Sequence, residues 1–163
     1  LSMVTVISRA GKEASVGEAF GKLFGAALPQ PGTWNAGKGV SIAWAGPGQY
    51  LMIAPGQAEG QLFAVLRQEL AGAAAVTDQS HGRVMIRIEG PAARRLLAKG
   101  TPVDLHPRAF AQGRVALTQM AHVGVHLAQV GPDAFEISLF RGFSENFWEW
   151  LTEQAAEFGY EVM

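Results

Sequence analysis

The segment at residues 76–105 constrains the fold of this chain more than any other stretch of its sequence. It opens with a polar turn at residues 78–82, after which apolar and polar side chains alternate. One side of the alternation carries Val84, Ile86 and Ile88, and the other carries Arg83, Met85, Arg87 and Glu89. A period of two predicts a strand with one buried face, whose second face meets water or a partner.

A short helix is predicted directly after this strand. Gly90-Pro91 ends the strand, and a proline is tolerated in the first turn of a helix. Four apolar residues then recur at helical spacing: Ala92, Ala93, Leu96 and Leu97. Gly100 ends the helix and Pro102 prevents it from resuming, so the order is strand, Gly-Pro turn, short helix and glycine.

The remaining elements are predicted from periodicity and turn residues in the same way. Strands are expected at 3–7, 40–44, 50–54, 73–77, 114–121, 123–130 and 135–140, helices at 12–27, 57–70 and 142–158, and an ordered loop at 34–38. Short turns between consecutive strands favour hairpins. The expected fold class is therefore α+β, with mostly antiparallel sheets and helices packed on them.

The helix at 142–158 has the strongest sequence indicators. Ser144 is predicted to cap it, Glu145 suits the positive end of its dipole, and Phe143 and Trp148 are expected to form a hydrophobic staple. Its buried stripe is expected to be Phe147, Trp150, Leu151, Ala155 and Phe158. Trp148 and Trp150 are two residues apart and do not share a helix face, which indicates that one of them is partly exposed.

A Gly-Pro turn occurs twice, as Gly46-Pro47 and as Gly131-Pro132, each time between two predicted strands and ahead of an amphipathic helix. One interpretation is an internal duplication with halves of about 1–78 and 79–163. The other is coincidence, because Gly-Pro turns are common. Under either interpretation the 163 residues are expected to form one domain.

Composition excludes several function classes. The 13 Lys and Arg residues nearly balance 14 Asp and Glu, so we expect no general attraction to nucleic acid or to an anionic membrane. The absence of cysteine excludes disulfides, thiolate nucleophiles and cysteine metal sites, and is consistent with the cytoplasm. No apolar run reaches the roughly 18 residues of a membrane span, so none is expected.

No catalytic, cofactor-binding or metal-binding residue is predicted. His122 and His126 would share a face of the predicted strand, but no further ligand accompanies them, and the interpretation is a pair of solvent-facing or partner-facing histidines. Asp78, Ser80 and His81 have the residue types of a hydrolase triad, yet triads are assembled from distant segments. Asp-x-Ser before a strand instead predicts a turn whose side chains satisfy backbone donors.

One basic patch is predicted from the central segment. Arg83 and Arg87 lie on one strand face, and Arg94 and Arg95 follow shortly after. Such a patch is either a solvated surface or a docking surface, and arginine and exposed tryptophan are both favoured at protein interfaces. The candidate partner-interface residues are Arg83, Met85, Arg87 and Trp148.

The order of several motifs resembles a known family. The matching pieces are Trp44-Ala45-Gly46-Pro47-x-x-Tyr50-Leu51, Asp78-x-Ser80, Gly90-Pro91-x-Ala93, Leu96-Leu97, Asp104-Leu105, Phe140-Arg141-Gly142-Phe143 and Trp148-x-Trp150-Leu151. Together they resemble the gamma subunit of heterotetrameric sarcosine oxidase. More distantly, they are similar to the folate-binding module of the glycine-cleavage aminomethyltransferase.

The resemblance implies a fold of two related α+β halves and a role in the oxidative, folate-linked demethylation of sarcosine to glycine. It implies alpha, beta and delta subunits as partners, and it places FAD, FMN, NAD and tetrahydrofolate on those partners. Under this expectation the chain has a non-catalytic role in assembly. The alternative is a free-standing protein that binds folate or transfers an aminomethyl group.

Overall fold

The computed structural model describes residues 1–163 and divides into two units, Leu1–Arg83 and Val84–Met163. The elements up to this boundary are β1 (Ser2–Ser8), α1 (Glu13–Phe24), β2 (Trp34–Gly37), β3 (Val40–Gly46), β4 (Gln49–Ala54), α2 (Gln61–Glu69) and β5 (Ala74–Asp78). Those that follow are β6 (Arg83–Glu89), α3 (Ala93–Leu97), β7 (Val115–Met120), β8 (Val123–Gly131), β9 (Ala134–Phe140), a 3-10 turn (Arg141–Phe143) and α4 (Ser144–Ala155).

An antiparallel sheet of order β2-β3-β4-β1-β5 forms the framework of the first unit. Val4 of β1 and Met52 of β4 pair across it, and both are fully buried. The apolar stripe of α1 packs in the same core, where the ring of Phe20 meets those of Phe24 and Tyr50 edge-on at centroid distances of 6.1 and 5.9 Å. The alternation of the strands and the 3.6-residue period of the helix thus converge on one core.

The second unit is a four-stranded sheet of order β6-β9-β8-β7 with its own apolar core. Its largest fully buried side chains include Leu97 of α3, Phe135 of β9 and Phe147 of α4. The apolar residues of β6 pack against this core, as their alternation predicts: Val84, Ile86 and Ile88. Helices α3 and α4 therefore cover the face of the sheet to which those three residues point.

Each unit follows the same order of elements, β-α-β-β-β-α, with the first strand hydrogen-bonded to the fourth and the order β2-β3-β4-β1 matched by β7-β8-β9-β6. The two Gly-Pro turns also correspond. Gly46 pairs with Gln49 and Gly131 with Ala134 across two-residue loops, and each strand has a register shift just before its glycine. The internal duplication stays a prediction. A single duplication would account for the matching order of elements in the two units.

The α+β class with mostly antiparallel sheets is confirmed, but several predicted boundaries are wrong. The loop expected at 34–38 contains strand β2, because Trp34 pairs with Ala43 in a hairpin that alternation alone does not reveal. The helix expected at 57–70 begins only at Gln61, since Gly60 lies before it at a left-handed φ of 76°. The helices expected at 12–27 and at 142–158 are shorter than predicted and span Glu13–Phe24 and Ser144–Ala155.

The predicted N-terminal cap and staple of α4 are also wrong. A 3-10 turn precedes the helix and makes Phe143 its N-cap, so Ser144 is already helical. The Ser144 hydroxyl donates to the carbonyl of Arg141 and caps no helical amide. Phe143 therefore lies one position too late for a staple, and its ring is exposed, as is that of Trp148. No helix in the structure combines the length and apolarity that crossing a membrane requires.

Candidate partner-docking surface

The β6 face, defined here as Arg83, Met85 and Arg87, lies on an edge strand of the second sheet. Arg83 and Met85 are half-buried and Arg87 is exposed. Their neighbours along the strand point the opposite way, into the core. The sequence therefore predicts the orientation of these side chains correctly, while their role at an interface stays a prediction.

Internal ion pairs reduce the charge that this face can offer. The Arg87 guanidinium donates from Nε to Glu89 at 3.0 Å and from Nη1 to Glu136 at 3.4 Å. Exposed pairs of this kind contribute little to stability, about 0–1 kcal/mol each. Burial lowers the pKa of Arg83, but a guanidinium stays protonated at neutral pH. The β6 face thus carries one half-buried cation, Arg83, and one exposed cation, Arg87, that is paired with two glutamates.

Arg94 does not belong to a surface patch, which corrects the grouping of four arginines. Its side chain is only 16% exposed. Nη1 donates to the carbonyls of Leu105 and Phe110 at 2.7 and 3.0 Å, and Nη2 donates to that of Pro132 at 3.1 Å. The guanidinium also lies 5.2 Å from the ring centroid of Phe135. Arg94 is therefore a structural residue that holds the 98–114 connector.

Trp148 lies on the opposite side of the second sheet from the β6 face. Helix α4 covers the core face with Phe147 and Leu151, while the β6 face points the other way. Trp148 is 41% exposed, whereas Trp150 packs on the ring of Phe147 at a centroid distance of 5.7 Å. The expectation that one of the two tryptophans is exposed is correct, but the structure does not bring Trp148 together with the arginines.

The two histidines four residues apart do not share a strand face. His122 lies in the β7–β8 turn, where Ala121 and His122 adopt φ angles of 50° and 65°, and it is exposed. His126 lies on β8 and is only 4% exposed, so the expectation of a solvent-facing residue is wrong for it. The two-residue turn requires positive φ at both positions, and the sequence Ala-His does not predict such a turn.

Asp78-x-Ser80 forms the turn that its sequence predicts. Oδ1 of Asp78 accepts hydrogen bonds from the amide and the hydroxyl of Ser80 at 2.9 and 2.6 Å. The Ser80 oxygen in turn accepts the amide of Met3 at 3.0 Å. His81 pairs instead with Glu59. These contacts join the end of β5 to β1. The serine hydroxyl therefore has a structural role.

We expect Ser80→Ala to lower the free energy of unfolding by about 1 kcal/mol at pH 7, because it removes the hydroxyl that links Asp78 to Met3. The same hydroxyl, then the Ser80 amide, are the main causes that lower the pKa of Asp78. Because the pKa of Asp78 is lower in the folded than in the unfolded state, its carboxylate stabilises the fold at pH values above the unfolded pKa of about 3.9. This stabilisation is lost as the pH falls through the folded pKa.

Urea unfolding at pH 7 and pH 3 measures both effects. The stability difference between wild type and Asp78→Asn should shrink at the lower pH. The matched control is Ser144→Ala, which loses one exposed hydroxyl bond to a carbonyl. An Asp78→Asn difference that is the same at both pH values would show that the turn carboxylate is not linked to stability in this way.

The other motif residues of the central segment are structural. Gly90 adopts a φ of 124°, a conformation that glycine alone adopts readily, and its carbonyl accepts the amide of Ala93 at 3.0 Å. Oδ1 of Asp104 accepts the amide of His106 at 2.9 Å and forms a local turn. The apolar motif residues lie in the second core: Ala93, Leu96, Leu97 and Leu105. The strand-to-helix order therefore builds a core and not a ligand cradle.

Four glutamates on and just after α4 are absent from the candidate residues predicted above. They recur at every fourth position and are all exposed: Glu145, Glu149, Glu153 and Glu157. A spacing of four places consecutive members on adjacent turns of one helix side. The spacing alone would have identified this row from sequence. No group of three His, Cys, Asp or Glu side chains in the structure is arranged to hold a metal ion.

The arrangement of strands and helices is similar to that of an aminomethyltransferase. The glycine cleavage system aminomethyltransferase T of Bartonella henselae superposes with a TM-score of 0.68 over 92% of this chain and 42% of that chain, at 18% identity. Identity at this level supports the fold alone. The structure thus defines an α+β protein with an aminomethyltransferase-like fold.

The model of the sarcosine oxidase, gamma subunit family matches residues 10–157. The sarcosine oxidase subunit gamma of Corynebacterium sp. (strain P-1) is 35% identical over 97% of this chain and 76% of its own length. That of an Arthrobacter species is 36% identical over 82% of this chain and 66% of its own length. This chain belongs to the sarcosine oxidase gamma subunit family.

A solved structure extends the similarity to three dimensions. A chain of the heterotetrameric sarcosine oxidase from Corynebacterium sp. U-96, in complex with pyrrole 2-carboxylate, superposes with a TM-score of 0.84 at 29% identity. The match covers 99% of this chain and 83% of that chain. The resemblance noted from sequence motifs is therefore confirmed.

Proposed function

We propose that this chain is the gamma subunit of a heterotetrameric sarcosine oxidase and that its role there is structural. The observation that supports this most strongly is the similarity, over nearly the whole chain, to a subunit of such an assembly. Membership of the gamma subunit family agrees with it.

The use of the motif residues supports a structural role. Asp78 and Ser80 form the hydrogen bonds of a turn, and the Arg94 guanidinium donates hydrogen bonds to three backbone carbonyls. Leu96, Leu97 and Leu105 fill a core. These residues of the central segment thus have packing or hydrogen-bonding roles, which supports a structural role for the chain.

The partners in this proposal are the alpha, beta and delta subunits of the oxidase, assembled in the cytoplasm. The proposal assigns FAD, FMN, NAD and tetrahydrofolate to those subunits. Its basis is the family resemblance together with the structural use of this chain's own motif residues.

Co-expression tests the proposal. The tagged chain should co-purify with alpha, beta and delta subunits from the same source as a complex that oxidises sarcosine, whereas the chain purified alone should be colourless and inactive. A flavin absorbance band or sarcosine turnover in the isolated chain would contradict the structural role. Calorimetric binding of a reduced folate to the isolated chain would instead favour a free-standing folate-binding or aminomethyl-transfer protein.

The β6 face is proposed to contribute to docking, and the double variant Arg83→Ala/Arg87→Ala tests it. Truncating an interface arginine costs about 2 kcal/mol of binding free energy, so co-purification of the other subunits should fall roughly tenfold or more. The exposed pair Arg67→Ala/Arg108→Ala makes the same change in charge elsewhere and serves as control. Unchanged assembly at near-stoichiometric concentration would leave the β6 face as an ordinary solvated surface.

A further inference from the structure

Helix α4 presents an exposed face on which acidic and aromatic side chains adjoin. We define the α4 face as Glu145, Trp148, Glu149 and Glu153. Trp148 follows Glu145 by three residues, so the two side chains are neighbours on the helix surface. Its ring is 41% exposed, and that of Phe143 at the N-cap is 51% exposed. Two large aromatic rings are therefore open to solvent at the start of the same helix that carries the row of carboxylates.

The carboxylate row is unfavourable for an isolated protein. Like charges four residues apart on a helix repel each other. Glu153 lies near the C-terminus of α4, where the helix dipole also disfavours negative charge, and the last turn contains no basic residue. No Lys or Arg occurs at residues 144–163, although the chain as a whole is nearly neutral. The row is thus a local concentration of charge and not a consequence of composition.

Ion pairing within the chain reaches only the C-terminal end of the row, while the helix dipole favours Glu145 at the other end. Lys99 Nζ lies 2.6 Å from Glu157, beyond the α4 face, and donates to the carbonyl of Gln154 at 3.0 Å. No ion pair joins Glu145, Glu149 or Glu153 to a cation of this chain. A cationic surface on another molecule would therefore relieve repulsion that the monomer retains.

We propose that the α4 face docks on a surface of another oxidase subunit that bears lysine or arginine and a pocket for Trp148. The proposal rests on the proposed function, which supplies the protein partner. Tryptophan is one of the residues enriched among interface anchors, and the surrounding carboxylates speed association and select a partner of opposite charge. A second copy docked by the same helix would bring two acidic rows together, and an anionic membrane or nucleic acid would repel this face.

The test compares two double variants in the full complex, co-expressed with the other subunits. Glu149→Gln/Glu153→Gln removes two charges from the α4 face, and Glu13→Gln/Glu18→Gln removes two exposed charges from α1. We expect the α4 variant to bind the other subunits at least tenfold more weakly, with a weaker dependence on salt, while the α1 variant binds as wild type does. The isolated α4 variant should melt at or above the wild-type temperature, because its internal repulsion is reduced.

Trp148→Ala supplies a second, uncharged readout. Because the ring is exposed, we expect the isolated variant to melt within a few degrees of wild type but to lose at least tenfold in assembly affinity. Unchanged affinity and salt dependence in both α4 variants would overturn the proposal while leaving the proposed function intact. Salt-sensitive dimers of the isolated chain that the α4 variants abolish would overturn it in favour of a second copy. Failure of the wild type to join any oxidase subunit would remove the proposed function, and this inference with it.

Discussion

Arg94→Ala should lower the free energy of unfolding by about 3 kcal/mol. The substitution removes three charge-assisted hydrogen bonds and leaves the carbonyls of Leu105, Phe110 and Pro132 without this donor. Because Leu105 and Phe110 are buried residues of the 98–114 connector, the loss also releases two apolar side chains from the second core. Urea unfolding followed by circular dichroism measures the change.

Arg95→Ala is the matched control. Its guanidinium lies over the ring of Phe158 at 4.8 Å and its residue is exposed, so we expect a loss of less than about 1 kcal/mol. Arg94→Lys should recover little of the lost stability, since an ammonium does not reproduce the planar fork that reaches three separate acceptors. Equal stability of Arg94→Ala and Arg95→Ala would contradict the structural role assigned to Arg94.

Gly100→Ala is expected to destabilise the protein by up to about 3 kcal/mol. A Cβ at this position would lie 2.4 Å from Cη2 and Cζ2 of the Trp150 ring and 3.1 Å from Cγ of Met120. No real Cβ contact is so short, and the indole is held by its packing against Phe147, so the ring or the backbone must move. Thermal unfolding of the purified variant measures the loss.

Gly124→Ala provides the control for Gly100→Ala. Gly124 lies on β8 with no atom within 4 Å of the position of an added Cβ, and its φ is not positive. We expect a change within about 0.5 kcal/mol. The double variant Gly100→Ala/Trp150→Leu should be less destabilised than the sum of its single variants, because the smaller side chain removes the clash. Additive losses would show that the indole does not limit this site.

Sequence patterns predicted most elements because each depends on local periodicity. The alternation of β6 specifies both its conformation and its buried side, and the apolar spacing of α1 does the same for a helix. Strand β2 escaped prediction because Trp34–Gly37 is short and is stabilised by pairing with β3. Pairing is a property of two segments, which the sequence of one segment does not reveal.

The candidate surface was predicted less well than the fold. The spacing of Arg94 shows that it lies off the apolar stripe of α3, but not that the 98–114 connector returns to place carbonyls around it. The alternation of β8 correctly places His126 on the side of the strand opposite the core residues. It does not show that this second side of the strand is also buried. The charges of α4 were visible in the sequence, whereas the exposure of Trp148 beside them required the structure.

The separate origin of the two sheets has a consequence for how the chain is made. Strands β1 to β5 are all drawn from residues before Arg83, and β6 to β9 all follow in sequence. A ribosome therefore delivers every strand partner of the first sheet before any residue of the second has been translated. The nascent chain can therefore fold one unit at a time. The strands of the first unit can pair before the second unit is synthesised, which shortens the time for which their edges are unpaired.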